Sequence, residues 1–317
     1  HTFTTMAREK SSEGNVQKTQ TTSAFVPKYL RPGIRENNSL LSEKHYMEKA
    51  KVIVTGASGS IGGAAARLLL DMGFGVVMAC RNLEKAAPIR DSLAHDFPNR
   101  SVELLHLDLA SAKSVRDFCH IIEQKELKPK YLLNNAGIMC RDFCTTTDGF
   151  EMTVGTNLIG TAMLIRLMMP LMDNSFHIVN TVSLTRYVSD VDHHLFDADK
   201  KRFRQLGTYG ESKLALLFYS SRLAQTVPAG CHVNMTDPGI VNSNMITMGR
   251  WFDPLADIFF RPFIRKPETA AQIGIRALDD TENHKLYRGK KTYAFPEKIQ
   301  NHPLRDWFYA ELMKRLA

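Results

Sequence analysis

The stretch KVIVTGASGSIG, residues 51–62, decides the fold of this chain. Its β-branched residues at positions 52–55 are typical of a buried strand, and glycines follow at positions 56, 59 and 62. An apolar helical pattern then covers residues 61–72. This order of strand, glycine-rich turn and helix predicts the first unit of an α/β fold.

Each glycine of this turn has a defined use in a phosphate-binding loop. Gly56 permits the tight turn, Gly59 lets the backbone approach a pyrophosphate, and Gly62 allows the helix to pack closely on the sheet. The helix N-terminus adds amide donors and a positive dipole. Glycine spacing alone also occurs in ordinary turns, but here the strand and the helix of a dinucleotide site accompany it. We expect cofactor contacts from Thr55, Gly56, Ser58, Gly59, Ser60, Ile61 and Gly62.

Outward from this unit, strand-like and helix-like segments alternate. Buried-strand candidates follow at residues 76–80, 102–107, 131–133, 176–182 and 232–237, separated by stretches of helix length. Such alternation is typical of a parallel sheet that is covered on both faces. We predict a single-domain α/β fold, a doubly wound parallel (Rossmann-like) sheet that binds ligands at the carboxyl ends of its strands.

The residue after the second strand decides which nicotinamide dinucleotide fits. NAD enzymes place a carboxylate there for the ribose 2′-hydroxyl, whereas NADP needs a cation for the 2′-phosphate. Residues 80–82 read C-R-N, so Arg81 stands where the carboxylate would be. The sequence therefore favours NADP(H) over NAD(H), with a solvated surface charge as the alternative role of Arg81.

Tyr209 and Lys213 lie four residues apart in T-Y-G-E-S-K-L-A-L-L-F. On a helix this spacing places both side chains on one face. A free phenol has a pKa of about 10, and a neighbouring cation together with an oxidised nicotinamide would lower it. Tyr209 is then a candidate general base for alcohol oxidation and general acid for carbonyl reduction. Because the spacing is also common by chance, its context decides.

With this context the chain resembles the short-chain dehydrogenase/reductase family across about residues 50–295. Asn157, in G-T-N-L-I-G, and Ser183, in I-V-N-T-V-S, align with catalytic residues of that family. The resemblance implies a tetrad of Asn157, Ser183, Tyr209 and Lys213, in which Lys213 also binds the nicotinamide ribose and Asn157 holds a water for proton relay. Ser183 can donate to the reacting oxygen. Further cofactor contacts implied by the resemblance are Asp108, Leu109, Asn135, Ala136, Gly137, Tyr209, Lys213, Pro238, Gly239, Val241 and Ser243.

Two features depart from compact members of the family. Ser60 gives the spacing TGxxGxxG, which is typical of extended members such as sugar-nucleotide epimerases and dehydratases with bound NAD. However, only 108 residues follow Tyr209 (317 minus 209), which is short for a sugar-nucleotide domain. The second departure is the long segment between Ser183 and Tyr209. Similar insertions occur in the retinol-dehydrogenase-like branch of the family.

Local motifs favour the same branch, and three resemble its polyprenol dehydrogenase-like members: T-V-S-L-T-R-Y-V, D-P-G-I-V-N-S and R-G-K-K-T-Y. The resemblance implies an oxidoreductase that interconverts an alcohol and an aldehyde or ketone on a retinoid, steroid or polyprenoid substrate. Two alternatives stay open at this point. One is an extended-type epimerase or dehydratase with bound NAD, and the other is a non-catalytic protein that senses dinucleotides.

Composition sets the remaining expectations. We predict a mobile or peripheral leader at residues 1–48, rich in polar residues, and a catalytic domain at 49–317. The resemblance implies a substrate lid around residues 243–268, where the aromatic residues would suit an apolar ligand, although such residues also close cores. No uninterrupted apolar run reaches the roughly 18 residues of a spanning helix. We expect a cytoplasmic protein or one peripheral to an intracellular membrane, such as the endoplasmic reticulum or a lipid droplet, and the family allows a homodimer.

Charge and cysteine content argue against several other classes. The net charge is +8, but residues 1–51 hold nine Lys or Arg against five Asp or Glu, which accounts for +4 of it. The rest shows no basic stripe with interleaved aromatics, so we expect no nucleic-acid partner. Five cysteines without a CxxC pair argue against a disulfide framework and a thiolate zinc site. The Asp and His residues at 190–199 lack ligand-like spacing, so we expect no metal.

Overall fold

Strand β1 begins the described part of the chain, which in this computed structural model covers residues 49–187, 189–239 and 265–316. Eight strands form one sheet in the order β3-β2-β1-β4-β5-β6-β7-β8. Neighbouring strands from β3 through β7 pair in parallel, and β8 pairs antiparallel with β7. The strands are β1 (Lys49–Thr55), β2 (Phe74–Cys80), β3 (Val102–His106), β4 (Tyr131–Asn134), β5 (His177–Thr181), β6 (His232–Asp237), β7 (Lys285–Arg288) and β8 (Lys291–Ala294).

Helices cover both faces of this sheet. One face carries α1 and α7, whose apolar residues share a core with β1 and β2. The other carries α3, α5, α6 and α9, which enclose the larger core. The predicted doubly wound α/β fold is therefore confirmed. The helices are α1 (Ser60–Asp71), α2 (Leu83–Asp96), α3 (Ala112–Gln124), α4 (Met152–Val154), α5 (Thr161–Met168), α6 (Gln205–Ala224), α7 (Pro267–Asp279), α8 (Glu297–Gln300) and α9 (Arg305–Arg315).

The topology fixes where a ligand can bind. The strand order reverses between β1 and β4, because the chain first builds outward to β3 and then returns to the other side of β1. In open α/β sheets, ligands bind beyond the carboxyl ends of the strands at such a switch point. The turns that follow β1, β4, β5 and β6 therefore meet at one edge, where the predicted site residues lie.

The hydrophobic segment from α4 to α5 is helical throughout, and its middle turn, Gly155–Gly160, has π-helical geometry. Together with the short turn that follows, it forms Met152–Leu171, a stretch long and apolar enough to cross a membrane by length and composition. However, 72% of its most apolar window is buried inside the fold. This helix is therefore part of the core of the fold.

The carboxyl-terminal elements differ most from the sequence-based expectation. The hairpin of β7 and β8 was not expected, because β8 is exposed along its whole length and shows no apolar alternation. Helix α9 packs against α6 and the segment before it, where Phe308 contacts the rings of Phe218 and Phe196. The predicted leader and residues 243–264 of the predicted lid lie outside the described residues. Residues 267 and 268, predicted as the end of the lid, begin helix α7.

Candidate active site

The glycine-rich turn after β1 is shaped by backbone contacts. Gly56 has a φ of +67°, a conformation that side chains rarely adopt, and a Cβ there would lie 3.0 Å from the Ala136 Cα. A Cβ on Gly62 would lie 2.4 Å from the Gly56 carbonyl oxygen. The Asn135 and Ala136 amides donate to the Thr55 hydroxyl at 3.1 and 3.0 Å. The turn after β1 and the segment after β4 therefore form one tightly packed unit.

The N-terminus of α1 opens at this turn. Gly59 is its cap residue, and no described side chain caps the helix or places a carboxylate in its first turn. Ser60 and Gly59 are exposed, whereas Ser58 and Ile61 are half-buried. Uncapped amides at a helix N-terminus bind anions through hydrogen bonds and the helix dipole. The turn thus fits a pyrophosphate, and a side chain at position 62 would clash with the turn itself.

Arg81 follows β2 and is exposed. Within the described ranges it makes no ion pair. Its neighbour Asn82 caps α2 by accepting from the Lys85 amide at 2.8 Å, which fixes the backbone on which Arg81 stands. Ser58 hydrogen-bonds the Cys80 thiol, but burial outweighs this contact and raises the pKa of Cys80. The guanidinium is therefore available to a ligand that reaches this corner from the glycine-rich turn.

Asp108 and Leu109 lie on the turn after β3. Asp108 Oδ1 accepts from the Ala110 amide at 2.9 Å, and the Asp108 amide donates to the Ser114 hydroxyl at 2.9 Å. Leu109 is buried, and its carbonyl oxygen touches the long helix so closely that a Cβ on Gly160 would lie 1.9 Å from it. This turn is thus held rigidly at the same edge of the sheet as the glycine-rich turn.

Tyr209, Ser183 and Lys213 meet at the ends of β5 and α6. The Ser183 side chain lies near enough to the Tyr209 hydroxyl to oppose the rise in the pKa of Tyr209. The Lys213 ammonium donates to the Thr181 carbonyl oxygen at 3.0 Å and lies 5.9 Å from the centre of the Tyr209 ring. The close approach of α6 depends on Gly210, where a Cβ would lie 2.1 Å from the Ser189 hydroxyl. The spacing of four residues therefore does bring the phenol and the ammonium together.

Burial changes the acidity of both groups. It raises the pKa of Tyr209 to about 12, and the Asp237 carboxylate adds to this while the Ser183 side chain opposes it. Burial also lowers the pKa of Lys213 to about 8. In the protein alone burial thus outweighs the neighbouring ammonium, and the predicted lowering of the pKa of Tyr209, which also requires the oxidised nicotinamide, stays a prediction. The physical reason for both pKa shifts is that desolvation penalises both the phenolate and the ammonium.

Asn157 sits in the π-helical turn and is fully buried. Its side-chain oxygen accepts from the Ile138 amide at 2.8 Å, and its side-chain nitrogen donates to the Ile138 carbonyl at 2.9 Å. The same nitrogen lies 3.0 Å from the Ser212 hydroxyl. Both ends of the amide are therefore engaged, so Asn157 ties the segment after β4 to helix α6. π-Helical turns are frequent at functional sites.

Gly137 and Gly239 complete the edge. A Cβ on Gly137 would lie 3.0 Å from the Lys213 ammonium and 3.3 Å from Asn157 Oδ1, so the backbone here covers both groups. Gly239 has a φ of +75°, and its amide donates to Asp237 Oδ1 at 3.0 Å just after Pro238. Val241 and Ser243, two further predicted contacts, lie outside the described residues.

One charged pair at this edge escaped sequence reasoning. Arg186 and Asp237 form a buried ion pair behind Ser183, with Nη1 and Oδ2 2.7 Å apart. Asp237 follows Arg186 by 51 positions in the sequence, and no spacing rule connects the two residues. The only available signal was an acidic residue in a strand that is otherwise buried.

The acidic and histidine residues between Ser183 and Tyr209 have local partners. His194 Nδ1 lies 2.8 Å from Asp197, and Asp192 pairs with Arg202. Asp190 reaches His302 at 3.4 Å. Across residues 49–187, 189–239 and 265–316, no three such groups are placed to hold a metal ion. This segment is therefore tied to itself and to the carboxyl-terminal region by ion pairs.

Comparison with known proteins gives one consistent family. The family model "short chain dehydrogenase" matches residues 50–250. The human protein "Retinol dehydrogenase 13" is 31% identical over 229 residues, 70% of this chain and 69% of that protein. Human "Polyprenol dehydrogenase" is 31% identical over 256 residues, 76% of this chain and 77% of that protein. A short-chain dehydrogenase from Shigella flexneri, solved in complex with NADP, superposes with a TM-score of 0.60 at 18% identity, covering 78% of this chain and 100% of the other.

Proposed function

The chain belongs to the short-chain dehydrogenase family, and we propose that it is an NADP(H)-dependent oxidoreductase that interconverts a lipid-like alcohol with its aldehyde or ketone. The observation that carries this proposal is the meeting of Tyr209 with the buried Lys213 ammonium, 5.9 Å from the centre of its ring, next to Ser183. They meet at the edge where the uncapped helix α1 fits a dinucleotide.

The chemistry of the three side chains follows from their environment. When bound, the nicotinamide supplies or accepts the hydride. The Ser183 hydroxyl donates to the reacting oxygen and stabilises the negative charge that develops there. Tyr209 gives that oxygen its proton, and with a pKa of about 12 its phenol is fully protonated near neutral pH. Carbonyl reduction needs this protonated form.

Alcohol oxidation requires the deprotonated form of Tyr209. The phenol must then give up its proton, which burial disfavours. The positive charge of an oxidised nicotinamide beside the phenol would offset this penalty. Lys213, whose own pKa is lowered to about 8, can exchange protons near neutrality and so pass them on from the site. Asn157 contributes by fixing helix α6 against the segment after β4.

Arg81 supports NADP(H) as the cofactor. It is an exposed cation at the end of β2, unpaired within the described part of the chain, where an NAD enzyme would place a carboxylate. A guanidinium matches a phosphate in charge and in the geometry of its donors. The Shigella structure of the same fold holds NADP, which agrees with this choice.

The substrate class follows from relatives and from the surface near Tyr209. The two human relatives are named for retinol and polyprenol, both long apolar alcohols. Four large apolar side chains are exposed in the described residues, and two of them flank the catalytic groups. Tyr187 is 64% exposed shortly after Ser183, and Leu206 is 46% exposed one helical turn before Tyr209. Both would offer apolar contact to a substrate at this edge.

A direct assay tests the proposal. Purified protein in detergent is incubated with NADPH or NADH and a panel of retinoid, steroid and polyprenoid carbonyls, and nucleotide consumption is followed. We expect turnover with NADPH, and loss of it in Tyr209→Phe with unchanged NADPH affinity. Tyr219→Phe is the matched control, because Tyr219 lies on the same helix and its hydroxyl donates only to the Ala162 carbonyl among described residues.

Each other outcome identifies a different function. Full turnover in Tyr209→Phe would contradict the acid/base role. Tightly bound NAD after purification, with epimerase or dehydratase activity, would favour the extended-type alternative. Cofactor binding without turnover on any member of the panel would favour a dinucleotide-sensing protein.

A further inference from the structure

Arg186 and Asp237 carry full charges at a position from which water is excluded. Their side chains are 1% and 0% exposed, and Arg186 Nη1 donates to Asp237 Oδ2 at 2.7 Å. Arg186 lies in the short helical turn Leu184–Tyr187 that follows β5, and Asp237 is the last residue of β6. The pair therefore joins the ends of two neighbouring strands at the catalytic edge of the sheet.

Each partner also holds a backbone group of the site. The same Nη1 of Arg186 donates to the Ser183 carbonyl oxygen at 2.5 Å, so the guanidinium holds the backbone of Ser183, the residue proposed to donate to the reacting oxygen. Asp237 Oδ1 accepts from the Gly239 amide at 3.0 Å and fixes the turn through Pro238. One chain of contacts thus runs from Ser183 through both charges to the turn after β6.

The Arg186 guanidinium is itself held in place on its outer side. It stacks over the Tyr187 ring at 4.4 Å, and its second terminal nitrogen donates to the Tyr187 hydroxyl at 3.0 Å. A planar, multiply bonded guanidinium orients its partners, whereas an ammonium acts as a point charge. The held guanidinium therefore fixes the direction of its hydrogen bonds as well as the distance to its partners.

Stability alone does not account for such a pair. Removing two charges from water costs about as much as their attraction returns, and well-packed apolar residues often replace a buried pair without loss of stability. Removing only one partner leaves an uncompensated buried charge and is strongly destabilising. A pair retained in the catalytic edge is therefore expected to serve the geometry of that edge.

We propose that Arg186 is a positioning residue for catalysis: it holds Ser183 directly, and the Pro238–Gly239 turn through Asp237, in the arrangement that hydride transfer requires. This inference rests on the proposed function, because it assigns a role within the same site. Arg186 does not touch the reacting atoms. It acts through the Ser183 carbonyl and through the carboxylate that orders the Gly239 amide.

The test removes both charges together. Arg186→Met and Asp237→Leu are made singly and combined, and kcat and KM are measured with NADPH and all-trans-retinal in detergent. We expect the single variants to be unstable and the double variant to melt close to wild type. In the double variant we expect kcat to fall about 10- to 100-fold, while KM and NADPH affinity stay within about threefold.

Two further variants separate positioning from structure. Arg186→Lys retains the charge and can still reach Asp237 and the Ser183 carbonyl, so it should recover part of the lost kcat. Lys285→Met with Glu282→Leu removes an ion pair of 3.2 Å at the amino end of β7 and should leave kcat unchanged. A stable double variant of Arg186 and Asp237 with wild-type kcat would overturn the proposal.

A measurement without turnover completes the test. Hydrogen exchange in the double variant should rise in peptides covering both residues 183–187 and 237–239, with the rest of the sheet unchanged. Unaltered exchange in both peptides would overturn the proposal. If wild type shows no turnover with retinal, the proposed substrate class fails with that probe, and exchange still decides whether Arg186 holds the two strand ends.

Discussion

The cofactor half and the catalytic half of this edge are built from different materials. Around the turn after β1, the structure depends on missing side chains, since a Cβ on Gly62 would lie 2.4 Å from the Gly56 oxygen. Around the ends of β5 and β6, it depends on buried side chains, since Lys213 and Asp237 are almost completely enclosed. The first half is a backbone turn that is proposed to bind phosphate, and the second is a set of desolvated polar side chains.

The two halves should therefore tolerate different kinds of substitution. A tightly packed backbone turn fails when atoms are added, and the cost is steric. A desolvated polar cluster fails when atoms are removed, and the cost is an unpaired charge or a lost donor. Substitutions in the first half should therefore change nucleotide affinity, while substitutions in the second should change turnover or pH dependence.

The largest expected effect separates chemistry from binding. Ser183→Ala removes the donor to the reacting oxygen, so kcat for carbonyl reduction should fall about 10²- to 10³-fold. NADPH affinity, measured by fluorescence, should stay near the wild-type value. Ser189→Ala is the control, because Ser189 follows the same strand but donates to the Gly207 carbonyl. Equal losses of kcat in both variants would contradict the assigned role of Ser183.

The next effect should appear in affinity alone. Gly62→Ala places a methyl group against the Gly56 carbonyl, and overpacking of about 1–3 kcal/mol should weaken NADPH binding roughly 10- to 100-fold. Gly63→Ala is the matched control, because its nearest contact would be 3.3 Å. Calorimetric titration with NADPH measures both variants. Unchanged binding in Gly62→Ala would break the distinction between the two halves.

Lys213 offers a pH test of the catalytic half. Its pKa of about 8 in the folded protein lies below the unfolded value of about 10.4. The protonated lysine therefore destabilises the fold below pH 8, and this penalty is relieved as pH rises from about 8 to 10. The raised pKa of Tyr209 adds no change in that window, because its contribution is lost only above pH 10.

The corresponding measurement is urea unfolding of wild type and Lys213→Met. Wild type should gain about 2 kcal/mol relative to the variant between pH 7 and about pH 9.5. Lys290→Met, on the exposed turn between β7 and β8, serves as the control for loss of a positive charge. Parallel pH profiles for wild type and Lys213→Met would show that Lys213 is not desolvated as described.

The smallest effect concerns the choice of nucleotide. Arg81→Ala should weaken NADPH binding about tenfold, the value of one charge-assisted contact, and leave NADH binding unchanged. Lys290→Ala removes an exposed charge on the turn between β7 and β8, at the far end of the strand order from β2, and should change neither affinity. Equal weakening for both nucleotides would assign Arg81 to the shape of the turn and not to the 2′-phosphate.

The two halves also differ in how far sequence could predict them. The turn after β1 and the pair Tyr209 and Lys213 are local patterns, so their spacing, read together with the surrounding strands, helices and family motifs, predicted them. The contacts of Asn157 reach Ile138, 19 positions away, and those of Arg186 reach Asp237, 51 positions away. Such contacts exist only once the sheet has formed, and no local pattern encodes them.

The strand bounds and the pKa of Tyr209 also show how far the sequence could predict the structure. The first six strands were predicted to within about two residues at each end, because most of them are continuous apolar runs. The hairpin of the short strand β7 and the exposed strand β8 was missed, since no apolar run marks β8. The rise in the pKa of Tyr209 in the protein alone was not predicted, because the sequence shows the neighbouring lysine but not the burial that outweighs it.

Isotope transfer distinguishes hydride transfer from other routes to the alcohol. Purified protein is given NADPH carrying deuterium at the transferable position of the nicotinamide, together with all-trans-retinal, and the product is analysed by mass spectrometry. We expect one deuterium on the carbinol carbon of the alcohol formed by wild type and almost no product from Tyr209→Phe. An alcohol without deuterium, or equal product from Tyr209→Phe, would contradict hydride transfer with Tyr209 as the acid.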